Sequence, residues 1–389
     1  MTGVILTLNA GSSSIKFALY GVGDEAALEA AGMIDAIGPE ARLVLTPERG
    51  EKTTVPLGKT DHVAGVDAIL TALQPLLDSR PVLGVGHRIV HGGPDINGPR
   101  VLDTALLAQL AELKPLAPLH QPHNLAAVHA ARSAFPTAVQ VGAFDTAFHR
   151  GHPRVHDLFA LPRRYYDQGV RRYGFHGLSY DYISGVMARD YPDLAQGKVI
   201  VAHLGNGASL AGIEAGRSIS STMGFSALEG LCMGTRPGQV DPGVLLYLMK
   251  EEGMGYEDLT RLLYKESGML GLSGISHDMR ELLASSAPEA EDAIAYYCAR
   301  LAREIGAMAA TLGGCDALIF TGGVGENAAP IRARALDKLG FLGVVLDPQA
   351  NDRNARQINT GPVPILVLPT DEERVIARAT ASLLTPLGH

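Results

Sequence analysis

At 389 residues, with 46% apolar and 19% charged side chains, the chain has the composition of a folded globular protein, and its length favours two domains over one core. A net charge of −8 excludes wholesale attraction to nucleic acid or to an acidic membrane, so anionic ligands must be caught by local cations. There is no run of 18 apolar residues and no basic leader in MTGVILTLNAGS, and Cys232, Cys298 and Cys315 lack CxxC spacing; a cytoplasmic chain without disulfides or a cysteine-built metal site is expected.

Strand-like runs alternate with helical ones, the pattern of α/β architecture. Strands are predicted at 4–8, 15–20, 82–90, 138–144, 199–204, 317–322 and 365–369, and helices at 104–113, 124–134, 178–190, 241–252, 288–312 and 372–384. DPGVLLYLMK supplies a helix start, with Asp241 as N-cap and Pro242 at the first helical position. VILTLNAGSSSIKFAL (4–19) is echoed 195 residues later by VIVAHLGNGASLAGIE (199–214), where Val4, Ile5 and Ser14 recur as Val199, Ile200 and Ser209. Both read strand, Gly/Ser/Asn turn, strand, which suggests a duplicated domain.

Turns of this kind point several backbone N–H groups one way and make an anion-binding concavity, although Gly, Ser and Asn also build ordinary hairpins. In the first, three serines and Lys16 strengthen the case for phosphate. LGKT (57–60) misses a Walker loop, since Thr53 stands where glycine is required, and reads as a turn. HRIVH (87–91) spaces two histidines by four but lacks the helix and glutamate of a zinc motif. It also places Arg88 in a glycine-punctuated strand. A second isolated arginine, Arg236, sits in LEGLCMGTRPGQVDP (228–242), and such arginines suit a carboxylate or a phosphoryl group. His176 in YGFHG is flanked by glycine just before a helix. In TDEERVIA, Thr370 and Glu373 fit a capping box, leaving Asp371 and Glu372 spare as Mg²⁺-associated carboxylates. FTGGVGENA (320–328) is a strand–helix glycine turn that would let a nucleotide lie against the backbone.

Taken in order, NAGSSSIK, HRIVHGG, LAPLH, FDTAFH, YGFHG, HLGNGASL, MGTR with DPG, FTGGVGEN and PTDEE resemble the acetate kinase family over residues 9–373. That resemblance implies two duplicated actin/ribonuclease H-like α/β domains with a nucleotide cleft between them, as in actin, sugar kinases and chaperone ATPases. The expected division is 1–147 plus 370–389, an acyl and phosphate domain closed by the C-terminal helix, and 148–369, a nucleotide-binding domain. It implies reversible Mg²⁺-dependent (or Mn²⁺-dependent) transfer from ATP to acetate by a homodimer. Carried onto this chain, Asn9 and Glu372 are the metal-associated pair, and Ser12, Ser14 and Lys16 form the first phosphate loop. Arg88 and Arg236 hold the carboxylate and the transferring phosphoryl oxygens, His176 stabilises the transition state, His120 assists, and Asp145 orients the substrate or an arginine. Val90, Leu119, Phe175 and Ala227 line the acyl pocket. His203, Leu204, Gly205, Asn206 and Gly207 take the ATP phosphates. Asp278, Met279, Arg280, Gly323, Val324, Gly325, Glu326 and Asn327 hold the nucleoside end.

The chain departs from the family pattern at several points. Gln121 follows LAPLH where asparagine is usual, and Leu178 and Tyr180 replace threonine and histidine after YGFHG. Pro237 and Gln239 replace serine and aspartate after MGTR, and Ala227 stands where proline is common. Loss of the proline ring would enlarge the acyl pocket, so a propionate kinase on the same scaffold is the near alternative. A non-catalytic actin-like nucleotide switch is the alternative from another class; it leaves Arg88 and Arg236 without a carboxylate to bind. Nothing in the sequence calls for nucleic acid or membrane partners.

Overall fold

In the computed structural model the described residues are 3–11, 14–22, 27–77, 80–118 and 120–384. Ser12 and Leu119, both expected at the site, lie outside them. The chain divides into two compact units, Met1–Arg150 with Asp371–His389, and Gly151–Thr370.

The first unit is built on strands β1 (Val4–Ala10), β2 (Ile15–Gly21), β3 (Leu28–Asp35), β4 (Gly38–Pro47), β5 (Thr53–Thr60), β6 (Val82–Ile89), β7 (Arg100–Val101) and β8 (Val139–Phe144). They form one mixed sheet in the order β5-β4-β3-β2-β1-β6-β8-β7. β1 is buried along its whole length, so its run of apolar residues has both faces covered. On one face, Ile15, Phe17 and Leu19 pack with Val66, Ile69 and Leu73 of the helix His62–Leu77. On the other, Ile5, Ala18 and Tyr20 pack with Ala377 of the helix Glu372–Leu384. That helix lies so close to β6 that a Cβ at Gly84 would come within 2.7 Å of Thr380. Glycine is what admits the last helix there.

The second unit has a mixed sheet of β9 (Lys198–Leu204), β10 (Ala208–Glu214), β11 (Arg217–Ser221), β12 (Ala317–Thr321) and β13 (Ile365–Val367), in the order β11-β10-β9-β12-β13. β9 and β10 form an antiparallel hairpin, and β12 joins β9 in parallel, Thr321 opposite His203. In the first unit β1 and β2 form the equivalent hairpin, and β6 joins β1 in parallel, Leu8 opposite His87. The echo between residues 4–19 and 199–214 is thus repeated in topology, each copy opening with a hairpin tipped by small residues.

Strands β3 to β5 and the helix His62–Leu77 were not expected from the sequence, and LGKT belongs to β5 rather than to a turn. The helix Pro242–Glu251 begins as the sequence indicates, with Asp241 Oδ1 accepting from Gly243 N at 2.7 Å. It buries none of its residues: Leu246, Tyr247 and Met249 are all more than half exposed. Among the described residues, no helix is long and apolar enough to cross a membrane.

Candidate active site

In the first unit the site grows from the ends of β1 and β6. The β1–β2 turn closes with Gly11 N donating to Ser14 O at 2.8 Å, and the register sets Asn9 opposite Lys16. At the end of β6, Arg88 Nε donates to both oxygens of Asp145 (3.1 and 3.2 Å), and Nη2 donates to Oδ2 at 2.6 Å. Arg88 Nη1 donates to Asn9 Oδ1 at 3.2 Å. Burial alone would lower the Arg88 pKa; Asp145, Glu372 and Glu373 outweigh it and hold the guanidinium charged well above its usual value. Asp145, almost fully buried, accepts these bonds from the arginine.

Asn9 Nδ2 donates at 3.4 Å to both Glu372 Oε2 and Glu373 Oε1. The amide orientation is dictated by its neighbours, since the guanidinium needs an acceptor and the carboxylates need a donor. Its nitrogen thus faces the acids, and Asn9 orients the carboxylates here. The expected capping box is not formed. The helix Glu372–Leu384 is capped instead by Asp371, whose Oδ1 accepts from Arg374 N at 3.0 Å. Glu373 is thereby released toward Asn9, and burial and the neighbouring Glu372 raise its pKa.

Two buried amides support this half of the site, Gln121, which the sequence marks only as a departure from the family pattern, and Asn124, which it does not mark. Asn124 accepts from Val90 N (3.0 Å) and donates to Ala10 O (2.7 Å), tying the candidate acyl position to the end of β1. Gln121 accepts from His91 N (3.3 Å) and donates to His91 O (3.1 Å). Gln121 and Asn124 fall on the buried stripe of the helix Gln121–Ala134 with Leu125, Val128 and Ala131. A polar residue on an apolar stripe was the available signal. His120 occupies the N-cap position of that helix, half buried.

The histidines of the HRIVH motif are buried. His87 donates to Gln140 Oε1 at 2.8 Å, and burial lowers its pKa from 6.5 to about 4; His91 is lowered to about 3 by burial and by Arg150. The unfolded chain therefore takes up these protons first. Their contribution to stability is complete above pH 6.5 and is lost as pH falls toward 4, at about 3 kcal/mol for each histidine. Thermal melts followed by circular dichroism should show Tm dropping through that window, and a flat Tm would contradict neutral burial.

In the second unit, His176 sits in the left-handed region (φ 57°) at the start of the helix Gly177–Asp190. Its Nδ1 hydrogen-bonds Ser209 Oγ at 2.8 Å, and its ring stacks on His203 with centroids 4.3 Å apart. His203 Nδ1 is held in the same way by Ser179 Oγ at 2.8 Å. The β9–β10 turn closes with Gly205 N donating to Gly207 O. A Cβ on Gly207 would lie 2.7 Å from Arg236 Nη2 and 3.1 Å from His176 Nε2, so these groups converge on bare backbone. Arg236 Nη1 donates to Ala227 O at 2.7 Å, joining the second arginine to the variant acyl position, while Phe175 is buried nearby in sequence to His176.

A cavity of about 590 Å³ lies within this unit. Of the expected residues, Gly205, Asn206, Asp278, Met279, Arg280, Gly323, Val324 and Asn327 line it. His203, Leu204, Gly207, Gly325 and Glu326 do not. Leu204 is fully buried, and Glu326 Oε1 turns back to accept from Gly322 N at 2.9 Å. Gly325 O is taken by Arg332 Nη1 at 2.8 Å. Sequence reading missed Met269, Tyr297 and Ala328, which add apolar surface, and Arg332, which is wholly buried behind the 322–327 turn. Asp278 caps the helix Met279–Ala284 and pairs with Arg280, whose hydrogen bonds to the carboxylate lower its pKa to about 2.

Each unit by itself sets a guanidinium near a glycine-containing turn, donor chemistry that suits phosphate and carboxylate groups. Comparisons supply the family. The acetokinase family matches residues 4–378. An acetate kinase of Methylocella silvestris is 48% identical over 403 residues, covering all of both chains, and one of Nitrobacter hamburgensis is 47% identical over 98% of this chain and 96% of its own. Among solved structures, Porphyromonas gingivalis acetate kinase gives a TM-score of 0.88 at 38% identity, covering 98% of this chain and all of that one. A propionate kinase from Francisella tularensis gives 0.92 at 34% identity, covering 98% and 99%. The chain belongs to the acetokinase family.

Proposed function

We propose that this protein is an acetate kinase, moving the γ-phosphoryl group of ATP onto the carboxylate of acetate to give acetyl phosphate and ADP, reversibly and by direct in-line attack. The observation that carries the reading is the Arg88–Asp145–Asn9 constellation at the end of β6, a fixed guanidinium beside carboxylates, in a chain of this family. Acetate is already a nucleophile at neutral pH, so no general base is needed. What the protein must do is align two anions and offset their repulsion. Arg88 and Arg236 are assigned to the carboxylate and to the equatorial phosphoryl oxygens, His176 to the charge that develops in the transition state, and His120 to a supporting role. Asp145 holds Arg88.

The nucleoside is assigned to the second unit. Ser12, Ser14 and Lys16, together with residues 203–207, take phosphates. The cavity lined by Asp278, Met279, Arg280, Gly323, Val324 and Asn327 takes the nucleoside, and Gly325 and Glu326 act by shaping the turn. Mg²⁺, or Mn²⁺, fits the donor set at Glu372 and Glu373: two carboxylates that repel one another, with Asn9 orienting them. An ion held there by carboxylates would keep most of its water. When bound, the ion would neutralise phosphate charge.

Val90, Leu119, Phe175 and Ala227 are assigned to the acyl group. Propionate is the second substrate reading, favoured by alanine at position 227 and by the likeness to a propionate kinase. Ala227→Val should raise the acetate-to-propionate ratio of kcat/KM roughly tenfold, the worth of a methylene in an apolar pocket. An unchanged ratio would remove Ala227 from the pocket. We further infer a cytoplasmic homodimer, the exposed apolar residues of the helix Pro242–Glu251 being the surface it would cover. The reverse reaction tests the assignment at once. Acetyl phosphate, ADP and Mg²⁺ should yield ATP, read by luciferase, and folded protein giving none would contradict it.

A further inference from the structure

The turn after β1 is assigned to phosphate, and a main-chain carbonyl oxygen facing an anion there would repel it. The two successive carbonyls at this point, of Ala10 and Gly11, are taken up by side chains from two helices. Asn124 Nδ2, on the helix Gln121–Ala134, donates to Ala10 O at 2.7 Å. His62, the first residue of the helix His62–Leu77, brings Nε2 to 2.6 Å from Gly11 O. A carbonyl oxygen only accepts, so His62 Nε2 carries the proton of this bond whether the ring is neutral or charged. Gly11 N is committed to Ser14 O at 2.8 Å, so both main-chain polar atoms of Gly11 are fixed. The His62 side chain is buried, and its ring stacks on His123, with centroids 4.2 Å apart and planes 18° from parallel. His123 precedes Asn124 on the same helix. One face of the His62 ring is thus held by a stack while its edge holds the turn. Neither histidine belongs to the groups assigned to substrate or metal.

We infer that His62 is a positioning residue of the first phosphate turn: its Nε2–H keeps the Gly11 carbonyl pointed at a buried ring, where no anion can lie, and His123 is the platform that sets that ring. Released from His62, the Gly11 peptide could rotate its oxygen toward the phosphate and oppose binding. Loss of the donor, more than loss of the ring, is then what weakens the turn. This inference rests on the assignment of the turn to phosphate. Two substitutions separate donor from ring. Phenylalanine keeps a ring to stack on His123 and removes the donor. Glutamine removes the ring and keeps an N–H, its amide nitrogen lying as many bonds from Cα as His62 Nε2 does.

The test measures binding of ATP and of AMP, each with Mg²⁺ and without any acceptor acid, to the full chain by titration calorimetry. His62→Phe should weaken ATP about five- to tenfold, the worth of one hydrogen bond, and leave AMP, which lacks the β and γ phosphates, within about twofold. His62→Gln should bring ATP back to within about twofold of the wild type. His62→Phe binding ATP as the wild type does, weakening ATP and AMP alike, or finding no rescue in His62→Gln overturns the inference. A wild type that binds ATP no more tightly than AMP overturns the phosphate assignment of the turn, and the inference with it. All of this is read without acyl phosphate, so a failure of the acetate reaction is a separate result. Should His62→Phe not fold, two measurements still decide. The ¹⁵N spectrum of ring-labelled wild type, assigned with His62→Gln, should show a protonated Nε2 at His62, and an unprotonated one overturns the inference. His123→Ala, at a half-buried position, should weaken ATP about threefold with AMP unchanged, and an unaltered ATP affinity overturns the role of the stack.

Discussion

Arg88→Ala is expected to lower kcat by about 10²–10³, the cost of removing one preorganised donor from a developing anion, with a smaller change in the KM for ATP. A second effect accompanies it. Asp145, with its side chain 2% exposed, would keep its carboxylate and lose the Arg88 guanidinium, and breaking a buried pair from one side costs about 3–5 kcal/mol. The two effects separate by design. Arg88→Ala with Asp145→Asn should regain most of the lost stability in urea unfolding while activity stays low. Recovery of activity in the double variant would show that Arg88 serves the fold and not the reaction.

Arg332→Met should give the largest loss in the second unit. The guanidinium is fully buried, and its hydrogen bonds reach the carbonyls of Gly325 (2.8 Å), Glu326 (3.1 Å) and Asn351 (2.9 Å) and the side chains of Asn351 (2.8 Å) and Asn354 (2.6 Å). No carboxylate is among these partners, and burial lowers its pKa to about 10 against the pull of the Asp352 charge, so the direct contacts are all to neutral oxygens. Methionine would fill the volume and strand those acceptors, at about 1–3 kcal/mol for each one left unsatisfied. Unfolding is expected to shift by at least ~3 kcal/mol, and the KM for ATP to rise more than that for acetate, since Arg332 braces the turn carrying Gly323 and Asn327. Equal KM changes would place its effect outside the nucleotide turn.

The buried elements were the legible ones. VILTL and VIVAHL are apolar but for Thr7 and His203 because both faces of β1 and β9 are covered, and their glycine-rich turns mark the hairpin tips. By contrast β3 to β5 carry Gly, Ala, Glu and Thr on half-exposed strands, where no clean alternation survives. The acidic start of the last helix misled for a definite reason: Thr370 and Glu373 have capping-box spacing, yet Asp371 can cap as well. Glu373 is drawn instead to Asn9, far away in sequence, a contact no local pattern encodes. Arg88, Asp145, His176 and Arg236 could be named in advance through motifs. Gln121 and Asn124 offered only the signal of polar residues on an apolar helix stripe, and Arg332 offered none, because its partners are main-chain carbonyls and amide side chains that only the fold brings within reach.

The most direct measurement is acyl phosphate itself, trapped as the hydroxamate with hydroxylamine from ATP, Mg²⁺ and each of acetate, propionate and butyrate. Hydroxamate formed from acetate with the highest kcat/KM, and reduced about 10²–10³-fold in Arg88→Ala, is the predicted result. Folded protein that hydrolyses ATP yet yields no hydroxamate from any of the three acids would contradict direct transfer to a carboxylate.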